Sequence, residues 1–172
     1  HSSPARFDMK KLEAINGDKI RALSPEEFLK RSLPFLKNDS IISGTEEEIE
    51  VVKSALPLIQ ERIGTLAEVS QMVKFLFVKN FEAESLPKIS DHASKKVLST
   101  AFDRLQSVTE WKHDQIESVL RSALIDEMGL KPRIAFGAVR IAVTGSHISP
   151  PLFESMELLG REKSLERIKA AV

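Results

Sequence analysis

The 172-residue chain contains no cysteine and only four histidines, His1, His92, His113 and His147. Without cysteine there is no disulfide bond and no thiolate metal site, a composition that fits a cytosolic protein. The histidines lie far apart, and no two of them stand at helical spacing. The sequence therefore predicts no metal site.

The chain also lacks net charge, because 25 basic residues balance 25 acidic ones. Any affinity for nucleic acid or for a membrane surface must come from local clusters of charge. No apolar run approaches the ~18 residues that a membrane span needs, so no membrane partner is expected. With 42% apolar residues the chain can bury a core, as one domain or as two small ones.

Catalytic signatures are missing as well. The sequence has no glycine-rich phosphate loop, no GxSxG elbow, no HExxH pair and no EF-hand pattern. Its paired carboxylates, such as Glu26 with Glu27, stand where helices begin, and helix capping explains them. The sequence predicts a binding or scaffold piece with no catalytic residue of its own.

The first residues show neither an initiator methionine nor a signal-peptide pattern. His1 and the residues just after it resemble an expression scar. Residues 7–23 form a short amphipathic segment, interrupted at Asn16-Gly17, with little to bury itself against. We therefore expect the chain to be a piece of a longer protein.

What the chain does contain is a series of helix signals with apolar residues at three- and four-residue spacing. Ser24 followed by Pro25, and Thr45 with Glu48 three residues later, are strong helix starts. Pro57 predicts a kink or a break. The predicted helices occupy residues 7–23, 24–34, 45–64, 65–78, 90–108, 109–128, 133–143, 149–160 and 161–172.

No stretch has a convincing strand pattern, so the predicted fold class is all-α. The loop from Lys79 to Pro87 is expected to separate two consecutive helical subdomains, residues 24–80 and 81–172. Residues 1–23 precede them.

The most informative stretch runs from Leu130 to Gly160. It contains Lys131, Arg133 and Arg140, and no acidic residue precedes Glu154. Its break, TGSHISPP, lies between two apolar-periodic segments. Basic residues beside a constrained polar loop suit a negatively charged partner such as a nucleic-acid strand.

A simpler interpretation of the same break is an ordinary connection between two helices. Gly145 would end the first helix, while Ser149 and Pro150 would cap and begin the second. The two interpretations are compatible, since capping residues can also shape a pocket.

Two segments carry a resemblance to a known family. FDMKKLEAINGDKIRALS near the start and AFGAVRIAVTGSHISPPLFESMELLGREKSLERI near the end resemble the C-terminal half of bacterial glutamyl-tRNA synthetases. The resemblance implies an all-helical anticodon-binding cage, preceded in residues 7–23 by the end of the stem-contact region. It also implies a cytoplasmic, monomeric parent enzyme that attaches glutamate to tRNA(Glu) using ATP and Mg²⁺. The family's two ATP-site signatures do not occur here, so no cofactor is expected in this piece.

The resemblance also assigns residues to the tRNA(Glu) anticodon loop. Arg140 occupies the position of the arginine that contacts the first anticodon base. Ser149, Pro150 and Leu152 correspond to the loop that holds the second base. Arg62, which precedes a Thr-Leu dipeptide, corresponds to the arginine that meets the third base.

The proposed role of Arg62 has a consequence for specificity. A guanidinium only donates hydrogen bonds, and cytosine offers it O2 and N3 as acceptors, whereas guanine presents N–H donors on that edge. Arg62 therefore predicts a discriminating enzyme, which prefers glutamate anticodons ending in C over glutamine anticodons ending in G. The alternative to this whole interpretation is a helical protein-interaction module that binds no RNA.

Overall fold

A computed structural model describes residues 8–78 and 86–172, and within these residues every regular element is helical. The predicted all-α class is confirmed. The helices are α1 (Met9–Arg21), α2 (Pro25–Asn38), α3 (Glu46–Ile59), α4 (Glu68–Val73), α5 (His92–Leu105), α6 (His113–Leu120), α7 (Pro132–Thr144), α8 (Leu152–Leu159) and α9 (Arg161–Ala170). Short 3₁₀ turns occupy Lys74–Leu76 and Leu86–Ile89, and a π-helical segment, Arg121–Glu127, continues α6.

The chain divides into two compact units, and the division falls between Gln71 and Met72, inside α4. In the first unit, α2 packs against α3. In the second, α5 packs against α7 and α9, while α6 packs against α8. The loop predicted as a boundary, Lys79 to Pro87, falls largely on residues 79–85, which lie outside the described residues.

The helix starts form as their sequence signals predict. The Ser24 hydroxyl accepts the backbone N–H of Glu27 at 3.2 Å, and the Asp91 carboxylate accepts that of Ser94 at 3.0 Å. Thr45 and Glu48 form a complete capping box. Each of these side chains satisfies a backbone donor that the first helical turn leaves unpaired.

Glu48 does more than close a capping box. Its carboxylate accepts the backbone N–H groups of Thr45, Gly44 and Ser43 at 2.9, 2.8 and 3.0 Å. These bonds lower the pKa of Glu48 to about 2. The ionised form is therefore favoured in the folded chain, and the side chain fixes the turn that leads into α3.

We expect Glu48→Gln to lower the midpoint of thermal unfolding in a pH-dependent way. Because the pKa of Glu48 lies lower in the folded chain than in the unfolded one, its contribution is complete above pH ~4.5. It is lost as the pH falls towards about 2, so the two melting curves should converge there. The matched control is Glu47→Gln, which stands in the same first turn. An unchanged difference between wild type and Glu48→Gln from pH 7 to pH 2.5 would contradict the assignment.

The prolines of α2 and α3 do not end their helices: α2 extends past its predicted end at Pro34, and the break considered at Pro57 does not occur. α2 runs through Pro34 to Asn38, and α3 runs through Pro57 to Ile59. Each proline removes one backbone hydrogen bond, but the turns that follow are held by the fully buried Leu36 and Ile59. Packing thus outweighs the local signal at both positions.

The first helix is also continuous, and the break predicted at Asn16-Gly17 is wrong. The Asn16 amide donates to the Gly64 carbonyl at 2.9 Å, and Gly17 is buried within α1. Asn-Gly is a typical turn sequence, but here Asn16 makes a tertiary hydrogen bond from within the helix.

Two later helices are shorter than predicted. The segment 65–78 is helical only from Glu68 to Val73 before it tightens into the 3₁₀ turn. The helix predicted from Thr109 begins at His113, since the Trp111 indole N–H donates to the Met156 carbonyl at 2.8 Å. That bond holds Trp111 against α8, and the Lys112 backbone that follows is extended.

Candidate nucleic-acid interface

The candidate interface is built on α7 and the loop that follows it. Pro132 stands at the first helical position, where its missing N–H costs nothing. The buried face of α7 is made of small and β-branched residues, so the helix packs closely into the core of the second unit. Gly145 ends the helix in the left-handed conformation, φ 76°, and its N–H donates to the Ile141 carbonyl at 2.8 Å. The predicted helix and its glycine stop are confirmed.

The loop after α7 is held by its own side chains. The Thr144 hydroxyl donates to the Arg140 carbonyl at 2.8 Å and accepts the Ser146 N–H at 3.3 Å. The Ser146 hydroxyl then accepts the Ile148 N–H at 3.1 Å. These bonds fix the path of the loop, so the residues that follow have a defined position.

Arg140 crosses from the helix to the far end of this loop. Its Nη1 donates to the Ser149 hydroxyl at 2.5 Å and to the Pro150 carbonyl at 2.9 Å. The Ser149 hydroxyl in turn donates to the same Pro150 carbonyl at 2.7 Å. We call these three residues the Arg140 network. Three residues that the sequence singled out for base recognition are thus joined to one another.

The Arg140 network corrects the predicted role of Ser149 and Pro150 as a helix cap. α8 begins at Leu152, with Pro151 at the N-cap position and no side-chain cap. The Ser149 hydroxyl is unavailable for capping because it is committed to Arg140 and Pro150. Ser149 and Leu152 are buried, and they anchor the loop in the second unit.

An open cleft of about 580 Å³ lies beside the Arg140 network. Its walls come from one face of α7 and from one loop residue: Pro132, Arg133, Phe136, Gly137, Arg140 and His147. Positions 133, 136, 137 and 140 share that face because they repeat at three and four residues. None of the six is acidic, and Arg133 and His147 are exposed. The cleft is therefore a positively charged, accessible surface.

Phe136 forms a fixed wall of the cleft. Its ring meets Phe153 of α8 edge to face, with centroids 5.2 Å apart. The Arg121 guanidinium lies over the Phe136 ring at 5.5 Å from the centroid, and its Nε donates to Glu117 at 2.7 Å. Arg121, Phe136 and His147 were not singled out from the sequence. The helical spacing of Phe136 relative to Arg133 and Arg140 is a signal that identifies it.

Arg62 belongs to the other compact unit. It lies three residues beyond the end of α3, is exposed, and donates its backbone N–H to the Ile59 carbonyl at 2.8 Å. No basic residue occupies the last turn of α3.

Within residues 8–78 and 86–172, no three acidic or histidine side chains lie close enough together to hold a metal ion. No helix in the same residues is long and apolar enough to cross a membrane.

Comparison with known proteins gives one family and a consistent set of relatives. Residues 27–172 match the family described as anticodon binding domain. The chain is similar to glutamate–tRNA ligases from Saccharopolyspora erythraea, at 44% identity over 98% of the chain, and from a Nocardioides species, at 45% over 99%. It spans 35% and 36% of the lengths of these two relatives, or about a third.

Solved structures extend the comparison to the fold. A glutamate tRNA ligase from Elizabethkingia meningosepticum, crystallised in complex with its amino acid, superposes with a TM-score of 0.71 at 20% identity. The superposition covers 99% of this chain and 33% of that one. A glutamate–tRNA synthetase from Elizabethkingia anophelis gives a TM-score of 0.69 at 21% identity, with the same coverage. The helical architecture described above is thus a known one.

Proposed function

The chain belongs to the anticodon binding domain family, and from that premise we propose that it recognises the anticodon loop of tRNA(Glu) as part of a glutamate–tRNA ligase. The observation that carries this proposal is the Arg140 network at the edge of a cleft whose lining contains no acidic residue. A cleft with this charge suits a polyanion, and an oriented guanidinium suits the edge of a base.

The geometry supports a division of labour between positioning and reading. In RNA loops, unstacked bases are read on their edges, while basic side chains hold the phosphates. Arg133 is exposed on α7 and suits a phosphate. Arg140 has its Nη1 fixed by Ser149 and Pro150, so the plane of its guanidinium is set before any base arrives. A preset donor rejects a base that lacks the matching acceptors.

For the whole protein we propose the reaction that the relatives' names describe, the attachment of glutamate to tRNA, with ATP and Mg²⁺ in the cytoplasm and as a monomer. No residue of this chain is assigned to ATP or to Mg²⁺. The catalytic residues would belong to a part of the ligase outside this chain.

The proposal is tested by titrating the chain, and the full-length ligase, with a tRNA(Glu) anticodon stem-loop across a salt series. Phosphate contacts should make the logarithm of the affinity fall linearly with the logarithm of salt. A stem-loop with its three anticodon bases exchanged should bind more weakly at every salt concentration. The competing hypothesis, a helical module for protein partners, requires that neither protein bind either RNA even at low salt.

We propose in addition that Arg62 reads the third anticodon base. Arg62→Ala should weaken binding of a stem-loop ending in C by about 1–3 kcal/mol and leave one ending in G unchanged, because cytosine presents O2 and N3 as acceptors on the edge where guanine presents N–H donors. Fluorescence anisotropy of the full-length ligase with the two stem-loops measures the difference. Lys30→Ala, an exposed cation of the same unit, is the control and should lower both affinities equally, if at all. Equal losses for Arg62→Ala with both RNAs would remove Arg62 from base reading.

A further inference from the structure

Gly137 stands in the second turn of α7 without a structural reason for being glycine. Its backbone is not among those with a positive φ. A Cβ built on it meets no atom within 4 Å. Glycine in a helix interior is unfavourable relative to alanine, because it loses more conformational freedom on folding. Within the described residues, therefore, neither the backbone conformation nor the packing requires that position 137 lack a side chain.

The surroundings of Gly137 offer a different reason. It lines the cleft between Arg133, one turn earlier, and Arg140, one turn later, and it is next to Phe136. The two arginines are seven residues apart, so they are separated by about 10 Å along the helix axis. Any side chain at position 137 would project into the space between them. The glycine thus leaves a gap between two cationic groups on one helix face.

We infer that the absent side chain of Gly137 keeps open the space in which a nucleotide of a single-stranded RNA loop reaches Arg140. This inference rests on the proposed function and adds a residue that determines access without contributing a contact of its own. The occupant is a nucleotide because the gap is bounded by cations and contains no acidic lining residue, which suits a phosphate-bearing strand. The base lies against the Arg140 end and the phosphate against the Arg133 end.

The inference makes stability and binding move in opposite directions. Gly137→Ala should raise or preserve the unfolding midpoint, because alanine favours the helix and its Cβ meets open space. The same substitution should weaken binding of the anticodon stem-loop by roughly threefold. Gly137→Leu, which fills more of the gap, should weaken it by roughly ten- to a hundredfold, the loss typical of one or two contacts to a base.

The matched control is Ser99→Leu, which adds the same exposed side chain to α5 of the same unit. It should leave RNA affinity unchanged. Circular dichroism and thermal unfolding of each variant confirm that the helix is intact, and Gly137→Ala decides the matter if Gly137→Leu does not fold.

The outcomes separate this inference from the proposed function. If wild type binds the stem-loop and Gly137→Leu binds it equally well, the inference fails while RNA recognition stands. If wild type binds no RNA at low salt, both fail. If a poly-glutamate peptide binds with the same dependence on position 137 and the RNA does not, the cleft takes an acidic peptide and the assignment of a nucleotide is wrong.

Discussion

Arg167→Met should lower the free energy of unfolding of the second unit by about 2–4 kcal/mol, the cost of leaving buried acceptors without a charged donor. Arg167 lies on α9 and is only 6% exposed. Its Nη1 donates to the Val143 carbonyl at 2.8 Å, and its Nη2 donates to the carbonyls of Phe75 and Val78 at 2.9 and 3.4 Å. One guanidinium thus serves three backbone acceptors.

These carbonyls come from parts of the chain far apart in sequence. Val143 lies at the end of α7, two residues before the glycine stop, whereas Phe75 lies in the 3₁₀ turn after α4. Burial lowers the pKa of Arg167, as desolvation of a cation must. An arginine nevertheless keeps its charge in proteins. Methionine would keep much of the apolar stem and remove every donor, so the loss measures the hydrogen bonds and not the packing.

Trp111 gives a direct readout, because it is the only tryptophan and it lies in the second unit. Urea unfolding followed by its fluorescence therefore reports on the unit that contains Arg167. Arg133→Met is the control, since an exposed arginine on α7 should change stability by no more than about 0.5 kcal/mol. Arg167→Lys should lower the free energy of unfolding by less than Arg167→Met and more than Arg133→Met, because an ammonium keeps the charge but lacks the planar fork of donors. Equal midpoints for Arg167→Met and Arg133→Met would show that the buried bonds contribute nothing.

The comparison of Arg167 with Arg133 shows where sequence reasoning ends. Both are arginines on amphipathic helices, and nothing in their immediate neighbours marks one as buried. α9 has few apolar residues, so its sequence does not show which of its charged residues faces the core. Only the packing of α9 against α5 and α7 places the guanidinium of Arg167 inside the second unit.

Capping signals, by contrast, are read well from sequence, because donor and acceptor lie within three residues. Thr45 with Glu48 forms the predicted box, and Gly145 ends α7 as predicted. Ser149 is a position at which the local sequence predicts a cap that does not form. Its serine-proline pair has the local pattern of a cap, yet the hydroxyl is taken by Arg140 from nine residues earlier. A local sequence pattern contains no information about a hydrogen-bond partner that the fold brings from elsewhere in the chain.

The cleft was predictable in part, more than the burial of Arg167 and less than the helix caps. Arg140 was singled out by resemblance, and the spacing of Arg133, Phe136 and Gly137 on one face of α7 follows from the period of a helix. That period suffices to place these residues on one face, although only Arg133 and Arg140 were singled out from the sequence. Helical spacing does not predict the position of His147, because that position depends on the path of the loop after Gly145.

The bond between Arg140 and Ser149 makes the two predicted base contacts interdependent. By resemblance, Arg140 meets the first anticodon base and Ser149 belongs to the loop for the second. Arg140→Ala should therefore weaken binding of the anticodon stem-loop by about 1–3 kcal/mol and disturb reading of both bases. Ser149→Ala should lose less, because Arg140 keeps its bond to the Pro150 carbonyl at 2.9 Å.

A double-mutant cycle with the anticodon stem-loop measures this dependence. If Arg140 acts partly by holding the loop, the double variant loses less affinity than the two single variants together, by about 0.5–3 kcal/mol. Stem-loops changed only at the second base sharpen the result, since Arg140→Ala should reduce discrimination at a base that Arg140 is not assigned to touch. A second cycle that pairs Ser149→Ala with Lys95→Ala, an exposed cation of α5, should be additive. Additivity in both cycles would mean that Arg140 and Ser149 act independently, and that the bond between them only stabilises the loop.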